Sequence, residues 1–239
     1  MSFDRRDMII AGAALALGAG GMAFAVTAGG FGGQASVEKT VRNYIMTHPE
    51  ILPEAMAALQ SRETKKIVDA NRAQIEMPFG TAWSGAADGD VTLVQFFDYA
   101  CGYCRAALPD VERLLAEDKK LKIVYRELPI LGEPSDLAAR ASLAVANKGG
   151  NYSEFHRTMY GAGRPDSVSI AAALAKAGAT ADGANSDQIA GEITTNLDLQ
   201  RQLQLTGTPS WIVGDTVLNG AVGYDALKTA IAEARAKRG

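Results

Sequence analysis

Val91-Thr92-Leu93-Val94-Gln95-Phe96-Phe97-Asp98-Tyr99-Ala100-Cys101-Gly102-Tyr103-Cys104 is the stretch on which the fold turns. Its first seven residues form a short, β-rich, nearly continuous apolar run, the pattern of a strand covered on both faces. Two cysteines follow directly. The segment from them to about Asp118 reads as a helix, with Leu108, Val111, Leu114 and Leu115 on one face and Pro109 as a kink. Lys122 to Leu128 is the next strand. Strand, helix and strand in this order make a right-handed βαβ unit, with the cysteines where the first strand enters the helix.

Cys101 and Cys104 are the two cysteines of a 239-residue chain. Two cysteines placed at random would stand three apart roughly once in 120 trials, so the spacing asks for a chemical reason. A disulfide across two intervening residues closes too short a loop to constrain the unfolded chain, and a chain of this size buries an adequate core unaided. A metal site needs two more ligands, and the two histidines, His48 and His156, are distant in sequence and read as packing or surface residues. Redox chemistry remains. At the start of a helix the Cys101 sulfur meets unpaired N–H groups and the positive end of the macrodipole, which favour the thiolate. Cys104, one turn further on, is placed to resolve a mixed disulfide.

Upstream, no charged residue occurs from Met8 to Val37, and Arg5 and Arg6 precede the run. This pattern predicts an export signal over residues 1–28, with small-residue cleavage candidates at Ala23-Phe24-Ala25 and Val26-Thr27-Ala28. Left uncleaved, it would instead anchor the protein in the inner membrane. Ser36 is expected to cap a first helix through about Met46, and Thr47-His48-Pro49-Glu50 to open a second that carries Leu52, Met56 and Leu59. Neither helix can bury its own face, and the polar stretch from Ser61 to Asn71 reads as an exposed connector. Gly80 to Asp90 reads as a turn or loop.

Downstream, Ser135 to about Leu205 is an Ala-rich helical region with breakers at Gly149-Gly150, Gly161 to Pro165 and Gly178, and with Ser135 and Asn151 as caps. Gly207-Thr208-Pro209 then leads into two short strands, Ser210 to Val213 and Thr216 to Leu218, and a final helix from about Tyr224 to Lys237. Composition excludes other classes. A net charge of -3 with 7% aromatic residues offers no basic surface for nucleic acid, while 47% hydrophobic and 21% charged residues fit a globular protein.

Phe96 to Cys104, Pro129-Ile130-Leu131-Gly132 and Gly207-Thr208-Pro209-Ser210 together resemble the DsbA-like branch of the thioredoxin superfamily. Tyr44-Ile45 and His48 to Leu52 further resemble the N-terminal oligomerisation region of its ScsC-like subgroup, exported thiol-disulfide proteins linked to copper tolerance. The resemblance implies an α/β thioredoxin fold over residues 77–239, with a helical insertion at about 133–205 between its second and third strands. An N-terminal helical oligomerisation region and linker would occupy residues 29–76. It assigns catalysis to Cys101 and Cys104, and substrate contact to Gly102, Tyr103, Thr208 and Pro209, the last as a cis-proline facing the cysteines. Gly102-Tyr103 stands where strongly oxidising relatives carry Pro-His and is typical of disulfide isomerases, so a less oxidising couple is expected.

The activity implied is an exported, periplasmic protein disulfide isomerase or reductase that needs no cofactor or metal. Its partners would be proteins bearing thiols or disulfides, a membrane redox partner and further copies of itself. A monomeric dithiol oxidase and a Cu(I)-binding protein are the rival readings. Asp98 and Glu127 could shuttle protons to Cys104, although carboxylates at strand ends are more often solvated.

Overall fold

The computed structural model describes residues 34–237, and the leader expected at residues 1–28 lies outside them. Along the chain run α1 (Gln34–Thr47), α2 (Ile51–Glu76), β1 (Trp83–Gly85), β2 (Val91–Phe97), α3 (Gly102–Glu117), β3 (Leu121–Glu127) and α4 (Glu133–Asn147). There follow α5 (Tyr152–Ala162), α6 (Ser167–Ala177), α7 (Asp187–Gln202), β4 (Ser210–Val213), β5 (Thr216–Asn219) and α8 (Tyr224–Ala236). The chain divides into two compact units between Leu59 and Gln60, within α2.

In the first unit no residue of α1 is buried, and Val37, Val41, Tyr44, Leu52, Met56 and Leu59 all stand exposed. Ser36 lies inside α1 rather than at its cap. The second helix also starts later than the capping pattern predicts. The Thr47 hydroxyl turns back to the Asn43 carbonyl at 2.8 Å, and His48 N–H closes on the Tyr44 carbonyl at 2.8 Å, so Thr47 ends α1 instead of opening α2.

In the second unit β2 and β3 pair in parallel at the centre of a five-stranded sheet ordered β1-β3-β2-β4-β5. The outer pairings are antiparallel. Because successive side chains alternate, Leu93 and Phe97 face one core with α3, α5 and α8, and Val94 and Phe96 face another with α2 and α7. This is the expected thioredoxin fold, with α4 to α7 as the helical insertion. β1 falls where the sequence reads as loop. Its three residues are too short for periodicity to register, yet Trp83 to Gly85 pair with Lys122 to Val124 and add an edge strand. Ser135 sits within α4, which Gly132 precedes, whereas Asn151 does cap α5 by accepting the Glu154 N–H at 3.1 Å.

The stretch expected as a connector is helical and packed. Val68 and Ile75, seven residues apart, form a narrow stripe buried against the sheet. The polar residues around it find partners: Lys65 and Arg72 pair with Asp215 at 2.8 and 2.6 Å. Buried Arg126 donates to the carbonyls of Gln74, Ile75 and Met77 at the end of α2, and to Glu192 at 2.6 Å. Those carbonyls would otherwise be the orphan acceptors of a helix terminus.

A second polar group shapes the other core. Glu127 is fully buried, and its Oε1 accepts the hydroxyls of Ser142 and Tyr152, each at 2.7 Å. Tyr99 extends the chain, with its hydroxyl 3.0 Å from Ser142 Oγ and 3.2 Å from His156 Nδ1. His156 packs among Phe97, Tyr125, Tyr152 and Tyr160, the first of the two roles, packing or surface, read from sequence, while the expectation of solvated strand-end carboxylates fails at both Asp98 and Glu127. Burial pushes the Glu127 carboxyl up to about 7 and the His156 imidazole down to about 3.

These two shifts act oppositely on stability. Raised from 4.5 to about 7, Glu127 contributes stability that is full below 4.5 and lost as pH rises through 7. Lowered from 6.5 to about 3, His156 contributes stability that is full above 6.5 and lost as pH falls toward 3. The expected outcome for Glu127→Gln is a urea midpoint that climbs relative to the native protein from pH 4.5 to 7 and then levels. Urea titrations on the oxidised protein, where thiols do not titrate, measure this, and a pH-independent difference would contradict it.

Candidate active site

β2 ends at Phe97 with its backbone directed into a tight turn, and α3 begins at Gly102. The turn is made by Asp98, whose Oδ1 accepts the Ala100 N–H at 2.7 Å and whose carbonyl accepts the Cys101 N–H at 3.0 Å. Asparagine and aspartate form such turns because the side chain imitates a backbone carbonyl. Cys101 is thereby the N-cap of α3. Its sulfur accepts the Cys104 N–H at 3.4 Å, in the place where a serine or aspartate oxygen ordinarily sits.

Both cysteines are free thiols, but their surroundings differ. Cys101 is 6% exposed and Cys104 fully buried. The neighbouring Cys104 thiol, the Thr208 side chain and the N–H groups of Tyr103 and Cys104 together hold the Cys101 thiol down to about 5, against the opposing effect of burial. Burial, reinforced by the Cys101 sulfur, pushes Cys104 far above the ordinary thiol range. At neutral pH the pair is one thiolate and one thiol.

Thr208, more than a hundred residues downstream, faces this pair. Its carbonyl oxygen lies 3.3 Å from the Cys101 sulfur, and the Thr208-Pro209 bond is cis. Gly102 has open space where a β-carbon would stand, and Tyr103 is 71% exposed. Among the described residues no three His, Cys, Asp or Glu side chains gather into a metal site. The importance of Asp98 exceeds what its sequence pattern suggests: an aspartate at a strand end, two residues before a small residue and three before the cysteine, carries the signature of the turn it forms.

The asymmetry predicts selective alkylation. With reduced protein, iodoacetamide should modify Cys101 at a rate that follows its thiolate fraction, with a midpoint near pH 5, and leave Cys104 unmodified until the protein unfolds. Mass spectrometry across a pH series on both sides of that midpoint reads both, and a midpoint at the ordinary value of about 8.5 would refute the assigned environment.

Comparison with known proteins agrees with this geometry. The DSBA-like thioredoxin domain family matches residues 92–232, and the copper resistance protein ScsC N-terminal domain matches residues 34–66. A linker-deletion mutant of Proteus mirabilis ScsC superposes with a TM-score of 0.68 at 30% identity, covering 85% of this chain and 95% of that one. Disulfide bond formation protein D of Bacillus subtilis is 23% identical over 164 residues, covering 62% of this chain and 73% of the relative. Na(+)/H(+) antiporter NhaA 3 of Salinispora tropica is 27% identical over 159 residues, 63% of this chain but 24% of the antiporter's length. With the cysteine pair capping α3, the Thr208-Pro209 loop facing it and the family match spanning both, the chain belongs to the DsbA-like thioredoxin family of thiol-disulfide oxidoreductases.

Proposed function

We propose that this chain is an exported, periplasmic protein disulfide isomerase or reductase that works as an oligomer of its N-terminal helices. The observation that carries the reading is the unequal placement of the pair, with the Cys101 sulfur capping α3 and Cys104 fully buried one turn further in. The Cys101 thiolate attacks one sulfur of a client disulfide; the displaced sulfur leaves as a thiolate and takes a proton from solvent. A mixed disulfide now joins client and Cys101. In reduction, Cys104 loses its proton and attacks the Cys101 sulfur, releasing the second client thiolate and leaving the pair oxidised. In isomerisation, a client thiolate attacks instead, Cys101 leaves as a thiolate, and no net electrons move.

Burial of Cys104 bears on the choice between these routes. A thiol held far above its ordinary pKa is a slow nucleophile at neutral pH, so the mixed disulfide persists and client thiols compete for it. A Cys101 thiol at about 5, short of the values near 3.5 reached in strongly oxidising sites, is in keeping with a less oxidising couple. Reduction consumes the dithiol, so continued turnover needs a membrane redox partner to return two electrons. Gly102, Tyr103, Thr208 and Pro209 would line the client-facing side of the pair.

The exposed apolar residues of α1 and the start of α2 support assembly, since a single chain leaves them in water. Among the described residues no helix is long and apolar enough to cross a membrane. The oxidase reading draws on the same low thiol pKa, because a good leaving group also oxidises well. The copper reading draws on two sulfurs that suit Cu(I), alongside a domain match whose name refers to copper resistance.

Refolding of a scrambled disulfide protein tests the proposal. The full chain is expected to recover native client, and Cys104→Ser to retain most of that recovery while losing net reduction. Val41→Glu with Leu52→Glu should convert an oligomer into a species near the 25.1 kDa of one full-length chain by light scattering and slow isomerisation several-fold. A wild-type monomer that introduces disulfides but never rearranges them would overturn the reading in favour of the oxidase.

A further inference from the structure

Among the described residues, one cation next to the cysteine pair has no counterion. Arg105 follows Cys104, and its backbone N–H closes on the Cys101 carbonyl at 3.2 Å, so its side chain leaves α3 one turn beyond the sulfur that caps the helix. Residues four apart share a helix face, and a long side chain leans back over the preceding turn. Other covered arginines of this unit are paired. Arg72, Arg126 and Arg140, none more than a third exposed, each hold a carboxylate at 2.6 Å. Arg164 has no such partner, but it stands exposed and water serves it. Arg105 is half-buried, yet it forms no hydrogen bond or ion pair with any described residue, and its Nε–H is shut off from water as well. A covered donor without an acceptor is destabilising, and in a native protein it asks for a reason. The helix surface beside it is open, since Gly102 has no atom within 4 Å of where a β-carbon would stand.

We propose that Arg105 is a carboxylate site for the client: its guanidinium takes the side chain of an aspartate or glutamate that flanks the cysteine whose disulfide Cys101 attacks. The inference rests on the reading of Cys101 as the client-attacking sulfur and adds a sequence preference to it. A polypeptide carries its negative charge on carboxylates, and the planar guanidinium fork matches their two oxygens. Because Arg105 has no partner in the free protein, turning toward an incoming carboxylate breaks no hydrogen bond and gives the Nε–H an acceptor. Arg126 would first have to leave Glu192. Four residues of helix rise about 6 Å, which one or two residues of extended client chain span, so the positions flanking the client cysteine are the ones in reach. The net charge of -3 gives the chain no general attraction for acidic clients, so the preference is local to this side chain.

Two peptides, blocked at both ends and each joined through its single cysteine to 2-mercaptoethanol, test this on the reduced full chain. One has aspartate on both sides of the cysteine, the other asparagine. Second-order exchange rates are measured for the native protein, Arg105→Gln and Arg105→Lys, and the aspartate-to-asparagine ratio is taken for each. At low salt the native ratio should exceed that of Arg105→Gln about fivefold, with Arg105→Lys between them, and the gap should close as salt approaches ~0.5 M. A change in the Cys101 thiol or in overall folding would move both rates together and cancel from the ratio. Arg105→Met, which keeps the apolar stem without the charge, takes the place of Arg105→Gln where that variant fails to fold. Equal ratios in the native protein and a neutral variant, or a gap that salt leaves intact, would overturn the proposal. Failure of the native protein to exchange with either peptide would instead refute the thiol-exchange reading beneath it.

Discussion

Asp98, Arg126 and Glu127 are ionisable groups buried at the carboxyl ends of the two central strands, and each has to find partners where water does not reach. A buried charge without partners would be strongly destabilising, so the surrounding elements are arranged to supply them. Arg126 takes the carbonyls at the end of α2 together with Glu192 of α7. Glu127, next in sequence and therefore on the opposite face of the sheet, takes Ser142 of α4 and Tyr152 of α5. Asp98 takes the loop between β3 and α4. The three neighbourhoods that enclose the strand ends are thus each tied to one buried ionisable residue.

Of the three, Asp98 is the one that belongs to the cysteine turn itself, where the Thr208 carbonyl meets Cys101 and the chemistry depends on unequal sulfurs. One sulfur caps a helix and receives N–H groups; the other lies one turn deeper, where no water stabilises a charge. The same short helix start therefore lowers one thiol and raises its partner. Neither effect needs a charged side chain beside the pair, which accounts for how a Gly-Tyr dipeptide sustains a reactive thiolate without a neighbouring histidine.

The parts legible in the sequence are those with a local signature. β2, α3 and β3 announce themselves by period and by the cysteine spacing, Asn151 by its capping geometry, and Thr208-Pro209 by its motif. What escapes depends on tertiary partners. Val68 and Ile75 are two apolar residues in a highly charged stretch, too sparse to mark a buried face until the sheet and α7 are present to receive them. Asp98 and Glu127 look like ordinary strand-end carboxylates, because nothing local tells of Ile130, Leu131, Ser142 and Tyr152 converging on them. β1 is too short to carry a pattern at all and exists through its pairing with β3.

Those carboxylates differ physically from the charged side chains that stand in water elsewhere in the chain. Lone surface ion pairs contribute little, and their residues can be exchanged with small effect. A buried carboxylate whose two oxygens both meet backbone N–H groups from other segments behaves differently, since removing it leaves several donors unsatisfied at once. Asp98 satisfies that description with three N–H donors from two segments, one of them the turn that leads into the reactive sulfur. In this fold the polar residues that a hydrophobic pattern would discount are therefore the ones that connect the core to the chemistry.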